Sequence, residues 1–210
     1  MTRFDREYWV NTGARYRDEF RPGPAYDAQE AALVDVLGGI SFDSVLEIGC
    51  GFGRLTRLVA ERFKPARYIA TDLNAEMTRQ AFKHAGAALP GDAVFQRLEL
   101  DELSQMLAEE NVEEIDKLRA DLVLAGEVLM HRRPDQVERD VDALAALASN
   151  YVVTVDWHMG DPYEAEGCYV HDYEALFAPY GAVIRTDVPA ARQAIFRTWI
   201  GAVEQSDDPS

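Results

Sequence analysis

The stretch Ser44-Val45-Leu46-Glu47-Ile48-Gly49-Cys50-Gly51-Phe52-Gly53-Arg54-Leu55 decides the fold. Ser44 to Ile48 is a short run of branched apolar residues, the pattern of a strand buried on both faces. Gly49, Gly51 and Gly53 then predict a tight turn whose missing β-carbons let the backbone approach a ligand. Leu55, Leu58 and Val59 recur at helical spacing and predict a helix from Arg54 to Phe63. Strand, glycine turn and helix in this order open a βαβ unit, with a crevice off the carboxyl end of the strand.

The same alternation continues on both sides. Upstream, Ala31, Leu33, Val34 and Leu37 predict a helix over about 26–38, stopped by Gly38-Gly39. Downstream, Tyr68 to Thr71 reads as a strand ending at Asp72, Ala75 to Ala88 as a helix, and Ala93 to Leu98 as a strand. An acidic helical stretch over about 101–118, a strand over Asp121–Ala125, a helix over about 134–148 and a strand over Tyr151–Val155 follow. This is a parallel sheet covered on both faces. After a helix over about 172–179, Ala182–Thr186 and Gln193–Ile200 are joined through Pro189 by a connection too short for a parallel crossover. The sheet therefore closes in one antiparallel hairpin.

The chain has 210 residues, 48% of them hydrophobic, which supplies a core for one domain over 1–210. We divide it into an N-terminal helical segment over 1–38, a core over 39–203 and a flexible tail over 204–210. With 21 Lys and Arg against 37 Asp and Glu the net charge is −16, which argues against nucleic acid and anionic membranes as partners. Two cysteines, Cys50 and Cys168, make no disulfide scaffold, and no CxxC occurs. The N-terminus lacks an apolar signal core, and no apolar run approaches a membrane span, so the expected location is cytoplasmic.

Two acids sharpen the glycine turn. Arg54 stands where a dinucleotide fingerprint requires Gly or Ala, which opposes a nicotinamide oxidoreductase. Glu47, two residues before Gly49, would repel a pyrophosphate but suits a cationic amine. Asp72, at the end of the second strand, is placed to take both hydroxyls of a ribose, although strand-end acids also serve as helix caps.

From about Phe42 to Ile200 the sequence resembles the class I S-adenosylmethionine-dependent methyltransferases. Val45-Leu46-Glu47-Ile48-Gly49-Cys50-Gly51-Phe52-Gly53 is similar to the family's first motif, and Tyr68-Ile69-Ala70-Thr71-Asp72-Leu73-Asn74 to its second. Asp121 to His131, containing Gly126 and Glu127, is similar to its fourth-strand segment. The resemblance implies a Rossmann-like doubly wound seven-stranded sheet, mostly parallel with an antiparallel C-terminal strand, behind an N-terminal helical lid. It implies S-adenosyl-L-methionine as cofactor, with Asp72 and Leu73 at the ribose, backbone around Gly49–Gly51 at the methionine part, and Glu99 and Leu100 by the adenine. The aromatic N-terminal segment resembles the lid of small-molecule members, with Tyr16 and Arg21 placed to reach the cofactor carboxylate. The activity implied is methyl transfer to an oxygen or nitrogen of a small metabolite, by a monomer or homodimer. The alternatives are a macromolecular (protein or RNA) methyltransferase and a non-catalytic cofactor-binding partner protein.

The connection from Trp157 to His171 is long, aromatic and polar, and is predicted to overhang the crevice. His158 at its foot and His131 after the fourth strand are the candidate general bases, since imidazole accepts protons near neutral pH. His171 reads as structural and His84 as a surface residue. Asp156, Asp161, Glu164 and Glu166 raise a divalent-metal reading, outweighed by a solvated acidic loop, so no metal is expected.

Overall fold

A computed structural model describes residues 6–12, 15–158 and 167–200. Seven strands are present among them: β1 (Ser44–Ile48), β2 (Arg67–Asp72), β3 (Val94–Arg97), β4 (Ala120–Gly126), β5 (Ala148–Trp157), β6 (Val183–Val188) and β7 (Gln193–Trp199). They form a single sheet in the order β3-β2-β1-β4-β5-β7-β6. β3, β2, β1, β4 and β5 pair in parallel, while β7 runs antiparallel to both β5 and β6. This is the expected Rossmann-like sheet, and the order reverses beside β1, so its carboxyl end faces the crevice.

Nine helices flank or precede the sheet within the described residues: α1 (Arg6–Thr12), α2 (Tyr16–Glu19), α3 (Pro24–Gly38), α4 (Arg54–Phe63), α5 (Ala75–Ala85), α6 (Leu100–Ala108), α7 (Val112–Leu118), α8 (Val137–Leu147) and α9 (Tyr173–Phe177). Burial on both faces explains the apolar strands: Val45, Tyr68, Leu122, Leu124 and Val153 pack against α3 and α4, whereas Leu46, Val123 and Val152 pack against α6 and α8. At about 25 cal/mol per Å² of apolar surface removed from water, these two layers are the main stabilising contribution.

Several boundaries differ from the sequence reading. The acidic stretch over 101–118 is two helices, because Glu110 takes a left-handed conformation (φ 52°), its own N–H turning back to the Leu107 carbonyl and that of Asn111 to the Met106 carbonyl. The helix expected to reach Ala88 ends at Ala85, closed by Gly86, with a short 3₁₀ turn following. β5 begins at Ala148, three residues earlier than expected, directly where α8 stops. The proposed tail lies outside the described residues. No described helix is long and apolar enough to cross a membrane.

Candidate active site

The carboxyl ends of β1 to β5 converge on a cavity of about 390 Å³. Gly49, Gly51, Asp72, Glu99, Leu100 and Gly126 line it, and Leu73 and Glu47 join them. Trp9 of α1, Tyr16 of α2 and Phe20 close its outer side together with Arg6.

The glycine turn divides into parts with different duties. Gly51 lines the cavity, donates its N–H to Asp72 Oδ2 at 2.9 Å, and has no atom within 4 Å of where a β-carbon would stand. Gly53 does not line it. With φ 93° it occupies a conformation side chains rarely adopt, and a β-carbon there would sit 2.6 Å from Ala81 Cα. Its absence lets α4 start flush against α5, so the third glycine serves helix packing rather than ligand approach.

Burial governs the acids. Asp72 accepts N–H groups from Gly51 and Asn74, yet burial outweighs them and raises its pKa to about 6. No ion pair to Asp72 occurs among the described residues. Glu47 is fully enclosed: both Thr56 and Tyr68 hydroxyls donate to its Oε2, at 2.6 and 2.8 Å, and burial lifts its pKa to about 7. The cationic amine expected as its partner is thus replaced by two hydroxyls of the chain itself. Glu99 caps α6 in a reciprocal box with Glu102 and accepts two hydrogen bonds from the Arg6 guanidinium, each 2.8 Å, besides an ion pair with Arg97.

That Arg6–Glu99 fork helps attach α1. So does Asn74, which caps α5 through its Oδ1 and donates its amide hydrogens to the carbonyls of Trp9 and Val10, both at 3.1 Å. The Trp9 ring then packs edge-on to Tyr16 and His131, with centroids 5.3 and 5.2 Å apart. Tyr16, buried beside the Tyr26 hydroxyl, has its phenol pushed well up.

Beyond β4 the chain bends sharply. Glu127 has φ 59°, a conformation costing about 1 kcal/mol or more outside glycine. It is held there by Arg54 Nη2 at 3.0 Å and by Gln193 Nε2 at 2.8 Å, and Gln193 in turn accepts from the buried Gln29 of α3. His131 follows. Its Nδ1 lies 3.2 Å from the Gly167 carbonyl, which can only accept, and 3.5 Å from Cys168 Sγ, which can donate or accept weakly. Enclosure drops its pKa to about 4, leaving it neutral at physiological pH. His171 is held between the Leu129 and Arg132 carbonyls.

Besides Gly53, two expected residues are not brought together with the rest. Arg21 donates to the carbonyls of Asp18 and Phe20 in its own turn and does not line the cavity, because the chain break at Pro22 turns it outward. Arg6, Arg54 and Arg132 do line it; of these Arg54, the residue that spoiled the dinucleotide fingerprint, pairs with Glu30 and Glu127 and packs over Tyr26. His158 also lies off the cavity, its ring 5.1 Å from that of Phe196, since β5 carries its alternate residues toward α9. Asp156 accepts the Met130 N–H, whereas Asp161, Glu164 and Glu166 of the metal reading fall outside the described residues. Arg6, Glu127 and Trp157 line the cavity but were not singled out, because ordinary charged and aromatic residues carry no spacing signal.

The arrangement fits an adenosyl sulfonium: Asp72, a buried acid with no ion pair among the described residues, lines the cavity together with apolar Leu73, Leu98 and Leu100. Comparison with known proteins agrees. The family model of a methyltransferase domain matches residues 46–150, half of the chain. No curated protein sequence matches. Among solved structures, magnesium protoporphyrin IX methyltransferase from Synechocystis PCC 6803 with bound SAH aligns with TM-score 0.70 at 18% identity, covering 93% of this chain and 98% of that one. The N-methyltransferase NodS from Bradyrhizobium japonicum WM9, in complex with S-adenosyl-L-homocysteine, gives 0.66 at 14% identity over 92% and 95%. An O-methyltransferase family protein from Burkholderia thailandensis gives 0.70 at 17% identity over 96% and 64%. At such identities these likenesses speak for the fold, while the domain match speaks for the family. The chain belongs to the methyltransferase domain family, as a class I S-adenosylmethionine-dependent methyltransferase.

Proposed function

We propose that this enzyme methylates an oxygen or nitrogen of a small metabolite in the cytoplasm. The observation that carries the reading is the partly covered cavity. Arg6, Trp9, Tyr16 and Phe20 line it over the carboxyl ends of the strands, leaving a recess of about 390 Å³ suited to a small acceptor rather than a flat face for a macromolecule. A net charge of −16 also opposes RNA. One similar structure is a methyltransferase named for magnesium protoporphyrin IX, a small molecule.

When bound, the cofactor supplies a methyl group on a sulfonium, which passes to a nucleophile by in-line displacement. The chain's residues then have these parts. Asp72 accepts both ribose hydroxyls, Leu73, Glu99 and Leu100 frame the adenine, and backbone at Gly49, Gly51 and Gly126 receives the methionine portion. Tyr16 and Arg54, rather than Arg21, border that portion. His131, neutral and on the cavity wall, orients the acceptor. A pKa near 4 makes orientation its larger contribution, because a base so weak gains little driving force at neutral pH.

The test is a transfer assay with methyl-labelled cofactor over a metabolite extract, a protein extract and total RNA. Label should appear in the low-molecular-mass fraction. Label confined to protein or RNA would refute the reading.

A further inference from the structure

Asp156 near the end of β5 has no part in the chemistry above, yet it is wholly buried on a strand face otherwise lined by Val152 and Thr154. A carboxylate enclosed in this way is costly, and sequences retain one where it holds something. Here it holds the chain after β4. Met130 donates its N–H to Asp156 Oδ1 at 3.0 Å, the one hydrogen bond this carboxylate makes among the described residues, while the Val128 and Leu129 N–H groups favour its charge more weakly. The second oxygen, Oδ2, has no hydrogen-bond partner. Val128, Leu129 and Met130 follow directly on Glu127, whose left-handed backbone would relax if the turn were free, and they precede His131. Both flanking residues line the cavity.

We propose that Asp156 is a positioning residue: from β5 it clamps the Glu127–His131 turn and so sets the wall of the cavity that faces the cofactor and acceptor. The clamp works from one side only, because Glu127 N–H is already committed to the Val155 carbonyl at 2.7 Å and Met130 carbonyl to the Tyr169 N–H at 2.7 Å. The Met130 amide depends on the carboxylate. Around Asp156 the facing titratable groups are Glu127 on the turn, Tyr173 of α9 and, beyond Tyr173, Cys168. The inference rests on the cavity being the methyl-transfer site, but its principal readout needs neither cofactor nor acceptor.

The experiment is amide hydrogen exchange followed by NMR on wild type, Asp156→Ala and Asp156→Asn, with S-adenosylhomocysteine titrated into each by calorimetry. Asp156→Ala should speed exchange of the Val128, Leu129 and Met130 amides about tenfold or more, while Leu122–Leu124 amides in β4 stay protected. Its affinity for S-adenosylhomocysteine should fall roughly tenfold, and Asp156→Asn, which keeps an acceptor at Oδ1, should recover it to within about threefold of wild type. Unchanged exchange at the three amides in Asp156→Ala, or equal losses of affinity in both variants, would overturn the proposal. Should Asp156→Ala fail to fold, Asp156→Leu, which keeps the volume and removes the acceptor, takes its place: a selective rise of about tenfold in exchange at the Met130 amide supports the clamp, and no selective rise rejects it.

Discussion

Glu47 offers a perturbation whose magnitude follows from the structure. Its carboxyl is fully buried, with a pKa near 7 in the fold against 4.5 for the free side chain. The folded protein therefore binds a proton here that the unfolded chain has lost at any pH between those values. Stability from this group is complete below pH 4.5 and disappears as pH rises through 7. Between pH 5.5 and 8.0 the linkage amounts to about 2 kcal/mol. Asp72 and Asp156, raised to about 6 and about 7, act in the same direction, and His131, lowered to about 4, acts against them. Glu47→Gln isolates the one contribution. Glutamine is isosteric with the protonated acid, and its carbonyl can replace Oε2 as acceptor for Thr56 and Tyr68. The assay is urea unfolding of both proteins at pH 5.5 and 8.0, without cofactor. Wild type should lose about 2 kcal/mol more than Glu47→Gln over this interval. Parallel losses in the two proteins would refute the claim that Glu47 is protonated in the fold at the lower pH.

Two further outcomes are expected at the cavity. Asp72→Ala removes two charge-assisted hydrogen bonds to the ribose, each about 1.5–3 kcal/mol, so calorimetry should show at least a tenfold weaker grip on S-adenosylmethionine; equal affinity in a folded variant would end the ribose assignment. His131→Gln should retain cofactor affinity and lower turnover by less than the 10²–10⁴-fold of a general base, about tenfold. A drop beyond a hundredfold would instead establish proton abstraction.

Much of this molecule was legible because its signals are local. Branched runs ending at Ile48, Asp72 and Ala125 marked the strands, and the short link at Pro189 dictated the antiparallel β7. The turn after β1 and the acid after β2 were readable for the same reason: backbone geometry demands particular residues at fixed offsets. Contacts between distant segments left no such trace. Nothing at position 81 announces that Ala81 meets Gly53, and nothing at Arg6 announces Glu99, 93 residues away. His158 misled because a strand continued to Trp157, so that period-two alternation, rather than the loop expected from Trp157 onward, set its direction. Arg21 and Arg54 exchanged roles because both sit beside breaks, and only packing decides which guanidinium faces inward.

Asn74 joins two segments by two different atoms. Its oxygen starts α5; its nitrogen fastens the carbonyl end of α1 over the cavity. Hydrolysis of that single amide to a carboxylate would leave the helix start intact, even favoured by the helix dipole, while setting a negative oxygen against two carbonyl oxygens. Ageing chemistry at one side chain would thus loosen the cover of the site and spare the sheet beneath. An old enzyme molecule would differ from a fresh one in how it retains its ligands before it differed in how well it is folded.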